Sequence, residues 1–335
     1  MTAELLTRAR AGEADAFAQL VAPHRRELHV HCYRILGSAQ DAEDAVQEAL
    51  LAAWRGLGGY AERASLRTWL YRIATNRCLN MLRAGDRRPR THEERPYLPL
   101  PVATPSDEPL WLEPYPDQLL DELPDDAPGP EPRYEMREAI SLAFITALQL
   151  LPARQRAALI LHDVLGYRAG EVASMLESTE ESVTSALKRA RARLEKCFRE
   201  EDNDASPPLP RSPEEHQALE RFTTAFEGGD VGVLVAMFTE DVRYSMPPIP
   251  FEYRGLDAVT QSLTQAVHAR PSRRLVPTRA NGQPAFGVYV RDDRDGIFRA
   301  VGLLVVTFAG ERVAGLTRFE TGVLPNFGLP RSLPS

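Results

Sequence analysis

The segment that leaves this chain the fewest choices runs from Val164 to Arg193, mainly LGYRAGEVASMLESTEESVTSALKRARARL. It reads as two helices joined by a tight turn. Val172, Ala173 and Leu176 give the first helix an apolar face. Ser178 and Glu181 have the Ser-x-x-Glu spacing of a capping box and predict the start of a second helix. Val183, Leu187, Ala190 and Leu194 recur at helical spacing and predict its buried side. Thr184, Ser185, Lys188, Arg189 and Arg191 fall on the opposite side. A narrow core face backed by a basic, hydroxyl-rich face suits a helix-turn-helix whose second helix enters the DNA major groove. The plainer alternative is an amphipathic hairpin with a solvated cationic face.

With 335 residues, two or three domains are expected. No apolar run is long enough to cross a membrane, and MTAELLTRARAGEADAF lacks the apolar core of a secretory signal. Three cysteines, odd in number and far apart, argue against a disulfide framework or a structural zinc and for a reducing cytoplasm. No metal or cofactor is expected. A net charge of −7 is unusual for a nucleic-acid binder taken whole, but the charge is segregated. Acids gather between Glu93 and Glu131, bases near Arg67–Arg90 and Lys188–Arg199. Screening over about 8 Å makes the local charge decisive.

Residues 1–88 read as a helical domain. Asp15 caps a pattern begun by Phe17, Leu20 and Val21, and LHVHCYRILG follows, ended by Gly37. Ser38 with Asp41 resembles a second capping box. Ala42, Ala45, Val46, Ala49, Leu50, Ala53 and Trp54 then form an unbroken helical stripe. Asp41, Glu43, Asp44, Gln47 and Glu48 crowd the other side, where the helix dipole favours acids and where a basic partner would find a docking face. After Gly56, Gly58 and Gly59 comes the loop Tyr60–Ser65, with Ser65 placed to cap LRTWLYRIATNRCLNMLR. Arg72, Asn76, Asn80 and Arg83 share one face of that helix. Arginine and asparagine beside Trp69, Tyr71 and Tyr60 can contact phosphates, pair with base edges and stack on exposed bases. A solvated polar face, with Trp69 in the core, is the alternative.

DAEDAVQEALLAAW and RTWLYRIATNRCLNMLR together resemble region 2 of the extracytoplasmic-function (ECF, sigma-70 family) sigma factors of bacterial RNA polymerase. LPARQRAALILHDVLGYRAGEVASMLESTEESVTSALKRARARL resembles region 4 of the same family, and the two segments stand in the family's order. The resemblance implies that Asp41, Asp44, Gln47 and Glu48 dock on core RNA polymerase. It implies that Tyr60, Ser65, Arg72, Asn76 and Asn80 read and open the −10 element. It implies that Thr184, Ser185, Lys188, Arg189 and Arg191 read the −35 element of promoter DNA.

The remaining segments complete the expected order. Residues 89–133 read as an acidic, proline-rich linker, extended and polyproline-like, interrupted by the apolar island LWLEPYPDQLL, whose WLEPYPD reads as a docking strip. Residues 134–200 hold the region 4 unit, with a helix over Met136–Leu151, a second helix started by Pro152, and the helix-turn-helix. Glu180 and Glu181 at the groove end of the last helix depart from a purely cationic reader. Residues 201–211 form a short linker.

Residues 212–335 predict three helices, around Phe222, Leu234–Phe238 and GLDAVTQSLTQAV, with DVRYSM and then four antiparallel strands: an α+β fold. The order, with MPPIPFEYRG, NGQPAFGVY and NFGLP, resembles the SnoaL-like (nuclear-transport-factor-2-like) cones fused to sigma factors. Such a cone implies a pocket, open to a small-molecule ligand; its fusion to the sigma domains, at high effective concentration, predicts a regulatory contact with them. Relatives of the cone include isomerases and cyclases, and acid–base candidates here are Asp241, Tyr244, Tyr253 and Glu320. The reading is therefore a multidomain chain of two all-α sigma units and an α+β cone. It is expected to be a cytoplasmic, non-enzymatic initiation factor that its last domain autoregulates. The alternatives are a SnoaL-type isomerase or cyclase fused to a DNA-binding module, and a plain helix-turn-helix repressor, which leaves residues 1–88 unexplained.

Overall fold

The stripe begun at Ala42 is realised as helix α3, Ala39–Gly56, and Ala42, Ala45, Val46, Ala49 and Ala53 are all buried. Ser38 is its cap: the Ser38 hydroxyl accepts from the Asp41 backbone N–H at 3.1 Å. The computed structural model describes residues 2–84, 104–105, 112–121, 140–199, 207–247, 249, 251–269 and 272–334. Trp111 and Met136 lie outside the described residues. The chain divides into two compact units, Met1–Pro89 with Gln118–Glu201, and Arg90–Asp117 with Asp202–Ser335. The segment read as one linker is therefore shared between them.

In the first unit α1 (Thr2–Arg10) packs on α2 (Ala14–Leu36), and α2 on α3 and on α4 (Leu66–Ala84). The pattern begun by Phe17 and the LHVHCYRILG run are one helix, with Pro23 inside it. Gly37 ends it in the left-handed conformation at φ 74°, donating to the Tyr33 carbonyl at 2.7 Å. A glycine avoids the Cβ clash of that conformation. Beyond the linker, α5 (Leu142–Gln149) is capped by Ser141, and α6 (Ala153–Leu159) runs into a π-helical turn, Ile160–Val164. Then come α7 (Ala169–Met175) and α8 (Glu180–Arg199), the pair expected as a helix-turn-helix. Its cap is Thr179 rather than Ser178: the Thr179 hydroxyl accepts from Ser182 N–H at 3.2 Å. The Ser178 N–H instead donates to Ala173 and closes the preceding turn, where Glu177 takes a positive φ of 50°. The turn consumes one more residue than the capping-box spacing assumes.

The second unit has α9 (Pro213–Gly228), α10 (Val231–Ala236) and α11 (Leu256–Ala269) packed on one face of a sheet. The strands are β1 (Thr104–Pro105), β2 (Phe238–Ser245), β3 (Phe251–Arg254), β4 (Arg273–Ala280), β5 (Gln283–Arg291), β6 (Phe298–Ala309), β7 (Arg312–Phe319) and β8 (Ser332–Leu333). Their order is β1-β3-β2-β7-β6-β5-β4, with β8 on β6. Met237 and Phe238 lie beyond α10, and Phe238 opens β2. β4, β5, β6 and β7 form the expected antiparallel meander, but β2 and β7 pair in parallel. The reversal from β2 to β3 and the three within the β4–β7 meander, four in all, bring β7 back beside β2 in the same sense. Phe222, Phe238, Phe286, Leu304 and Val306 fill the space between helices and sheet.

Leu112–Asp117, inside the apolar island, belongs to this second unit. Tyr115 is fully buried, and its backbone exchanges hydrogen bonds with Asn281: Tyr115 N–H donates to Asn281 Oδ1 at 2.7 Å and Asn281 N–H to the Tyr115 carbonyl at 2.8 Å. Asp117 accepts from Gly282 N–H at 2.7 Å and pairs with Arg279 at 3.3 Å, and Arg279 also pairs with the buried Glu215 at 2.8 Å. Asn281 and Gly282 both take positive φ, at 56° and 75°, the backbone of a two-residue β-hairpin turn. The strap is thus fastened to the β4–β5 turn, and Thr104–Pro105 adds a short strand to β3 at the opposite edge.

Candidate nucleic-acid interface

α8 presents the clearest surface for DNA. Val183, Leu187, Ala190 and Leu194 are buried, which turns Thr184, Ser185, Lys188, Arg189 and Arg191 outward, and all five are exposed. A hydroxyl–cation face on the second helix of the motif can hydrogen-bond base edges and bind phosphates. Two of the five are already engaged. The Thr184 hydroxyl donates back to the Glu180 carbonyl at 2.9 Å. Arg191 makes a two-pronged pair with Asp163 at 2.6 and 2.9 Å, and Asp163 also holds His162 at 2.6 Å. Burial alone would raise the Asp163 carboxyl, but the hydrogen bonds from Arg191 and His162 outweigh it and hold it below the usual carboxylate range. Lys188 and Arg189 are therefore the cationic centre of the face, with Arg191 held at its edge by the π-helical turn.

The α4 face is arranged differently. Arg72 and Asn80 are exposed at its two ends, and Asn80 accepts from Arg83 at 2.9 Å. Asn76, between them, is half-buried, and its amide donates to the Met175 carbonyl of α7 at 3.4 Å. One turn earlier, Tyr71 is buried and meets Tyr167 edge-on at 6.1 Å. Behind the face the His31 ring lies at 2.8 Å from the Thr75 hydroxyl, and burial pushes its pKa down to about 3. Tyr60 is buried as well, its ring stacked on Trp69 at 4.8 Å, and Ser65 caps α4 by accepting from Thr68 N–H at 3.1 Å. Of the five residues proposed for the −10 element, Arg72, Ser65 and Asn80 are accessible, while Asn76 and Tyr60 serve contacts inside the unit.

Sequence reading missed the residue that joins the two helical segments. Arg156, on α6 and buried, donates to the Ile35 carbonyl at the end of α2 at 2.5 Å, to Gln149 Oε1 at 2.5 Å, and to the Gln149 and Leu151 carbonyls at 2.9 and 3.1 Å. Burial lowers its pKa to about 10. A guanidinium can satisfy several carbonyls at a helix end, where the dipole is negative. Its position in the motif QRAAL gives no sign of this.

On α3, Asp44, Gln47 and Glu48 are exposed and Asp41 half-buried, with Gln47 donating to Glu43 at 3.0 Å. Leu51, 54 % exposed, continues this face, and an apolar residue off the buried stripe was the available signal for it. In the second unit the acid–base candidates do not converge: Asp241 and Glu320 are exposed, while Tyr244 and Tyr253 stack at 6.0 Å. Among the described residues no group of three acidic, histidine or cysteine side chains is placed to hold a metal.

The chain matches the Sigma-70 region 2 family over residues 20–88, Sigma-70 region 4 over 141–194, and the SnoaL-like domain over 219–318. It belongs to the ECF RNA polymerase sigma factors, in the form that carries a SnoaL-like domain. It is 39% identical over 337 residues to the ECF RNA polymerase sigma factor SigG of Mycobacterium tuberculosis H37Rv, covering 97% of this chain and 86% of that protein. SigM of the same strain is 35% identical over 192 residues, 57% of this chain and 82% of that one. The crystal structure of Mycobacterium tuberculosis SigJ shares the fold at TM-score 0.62 and 22% identity, covering 93% of this chain and 99% of that chain.

Proposed function

We propose that this sigma factor docks on core RNA polymerase through Asp41, Asp44, Gln47, Glu48 and Leu51 of α3, reads the −35 element with α8, centred on Lys188 and Arg189, and reads the −10 element with the Tyr60–Ser65 loop and α4. The observation that carries this reading is the outward face of α8 in a helix-turn-helix that shares a unit with the region 2 helices. The protein acts in the cytoplasm and performs no catalysis of its own. No helix among the described residues is long and apolar enough to cross a membrane, and of the four acid–base candidates Asp241 and Glu320 are exposed while Tyr244 and Tyr253 stack on one another.

The SnoaL-like unit regulates the sigma unit by intramolecular contact, open to a small-molecule ligand that binds the alternative arrangements unequally. What supports this is the strap: Leu112–Asp117 stands between regions 2 and 4 in the chain and is fastened to the β4–β5 turn. Run-off transcription with core polymerase tests both claims, using the full chain, a truncation after Asp204 and Asn281→Gly. The glycine keeps the left-handed backbone and removes the Oδ1 acceptor for Tyr115 N–H. Promoter-dependent transcripts are expected from all three, with the two variants differing from the full chain in the same direction. Absence of transcripts from the full chain and the truncation alike defeats the initiation reading. Equal yield from all three defeats the regulatory one.

A further inference from the structure

The loop Tyr60–Ser65 is held from outside by a helix that lies beyond the matched region 2 segment. Ala61 to Ser65 are exposed. The base of the loop is cinched by Tyr60, whose ring stacks on Trp69 at 4.8 Å and whose hydroxyl donates to the Ala64 carbonyl at 2.7 Å. Its tip carries a strained residue: Glu62 takes φ 57°, a left-handed conformation unfavourable for a side chain with a Cβ. Such strain persists where the surroundings hold it, and it gathers at functional sites.

Arg10, the last residue of α1, reaches both parts. One guanidinium nitrogen donates to the Tyr60 carbonyl at 2.5 Å, the other pairs with the Glu62 carboxylate at 2.9 Å, and the guanidinium lies 6.0 Å from the Tyr60 ring centre. An exposed ion pair on its own contributes little, because water competes for both charges. A planar fork that grips a carbonyl and a carboxylate at once does more: it fixes their relative position, which lysine's point charge cannot do as well. α1 precedes residues 20–88, so the region 2 match does not include Arg10.

We infer that Arg10 is a positioning residue for −10 recognition: it holds Glu62 and the tip of the loop in the shape that receives promoter bases, without itself touching DNA. The inference rests on the proposed assignment of Tyr60–Ser65 to the −10 element. A loop already in its bound shape loses less conformational freedom on binding, so affinity and base preference both depend on what holds it.

The test uses the full chain with core RNA polymerase and a pool of templates randomised across the −10 element, with transcripts sequenced and polymerase binding measured in parallel. Arg10→Ala is expected to lower open-complex yield about tenfold, the equivalent of about 1.4 kcal/mol, and to flatten the base preference. Polymerase binding and thermal midpoint should stay unchanged. Arg10→Lys should recover part of the preference, and Glu62→Gly, which tolerates the left-handed backbone, should lose less than Arg10→Ala. Arg63→Ala alters the loop tip itself. If Arg63→Ala changes the base preference while Arg10→Ala leaves yield and preference at wild-type values, the positioning role is wrong. If neither changes it, the loop is not the reader, and both assignments fall. A loss of polymerase binding or of thermal midpoint in Arg10→Ala that Arg10→Lys does not restore makes Arg10 a residue of the fold and overturns the inference.

Discussion

The two helices proposed to read the promoter differ in how open their polar faces are. α8 sits with Lys188 and Arg189 in solvent, its apolar side buried beneath it. α4 presents Arg72 and Asn80 at its ends but commits its centre, with Asn76 bound to the Met175 carbonyl and Tyr71 packed against Tyr167. One face is open, and the other is closed by the region 4 segment itself. The difference follows from what each face would leave exposed. Uncovering α8 costs nothing further, whereas uncovering α4 would strand aromatic surface and the Ile35 carbonyl that Arg156 satisfies.

The strongest way to break this asymmetry is Arg156→Ala. It leaves the carbonyls of Ile35, Gln149 and Leu151 without their donor and opens a cavity between α6 and α2. A loss of about 3 kcal/mol in urea unfolding is expected, with faster amide exchange along α4 around Asn76. Wild-type exchange at Asn76 would mean that the guanidinium does not hold the α4 face closed.

Arg189→Ala addresses the open face. It should weaken promoter binding by about 2 kcal/mol if the guanidinium meets a base, and hydroxyl-radical footprints at the −35 element would show it. The fold should be untouched, because Arg189 is exposed. Unchanged occupancy would move the reading to other residues of α8.

The smallest effect concerns the buried rear of α4. His31 is neutral in the folded protein, with its pKa pushed down by burial to about 3. Because the folded value lies below the unfolded one, near 6.5, the unfolded chain takes up the extra proton between them. The contribution is whole above about pH 6.5 and declines as pH falls toward the folded value. Going from pH 7 to pH 5.5 should cost about 1.3 kcal/mol through this group. His31→Gln should lose that share of the pH dependence in thermal melts, and an identical pH slope in the variant would show that His31 is not its source.

How much of this was legible in the sequence depends on the range of the interaction. The stripe of α3, the apolar face of α8 and the four-strand meander were legible because neighbours in the chain determine them through a fixed period. The α+β order of the last domain was legible for the same reason. The parallel β2–β7 pair was not, since four reversals of the chain decide it rather than any local pattern. Among the candidate site residues the outward face of α8 was readable from its polarity. Coverage of Asn76 was not, because its partner Met175 is 99 positions away. Arg191 likewise gave no sign that Asp163 would hold it. WLEPYPD stood out as an apolar island in an acidic stretch, but only the β4–β5 turn, far along the chain, shows where it docks.

That last separation has a consequence for the order in which the protein is made. Tyr115 leaves the ribosome 166 residues before Asn281, the acceptor that fastens it. At about 5–20 residues per second, the delay is roughly 10–30 s. Region 2 precedes Tyr115 and region 4 ends at residue 194, so for the last 87 residues of that interval (281 − 194) both are synthesised while the strap has no turn to bind. Each new molecule therefore passes through a period in which both sigma regions are made and the strap is not yet fastened.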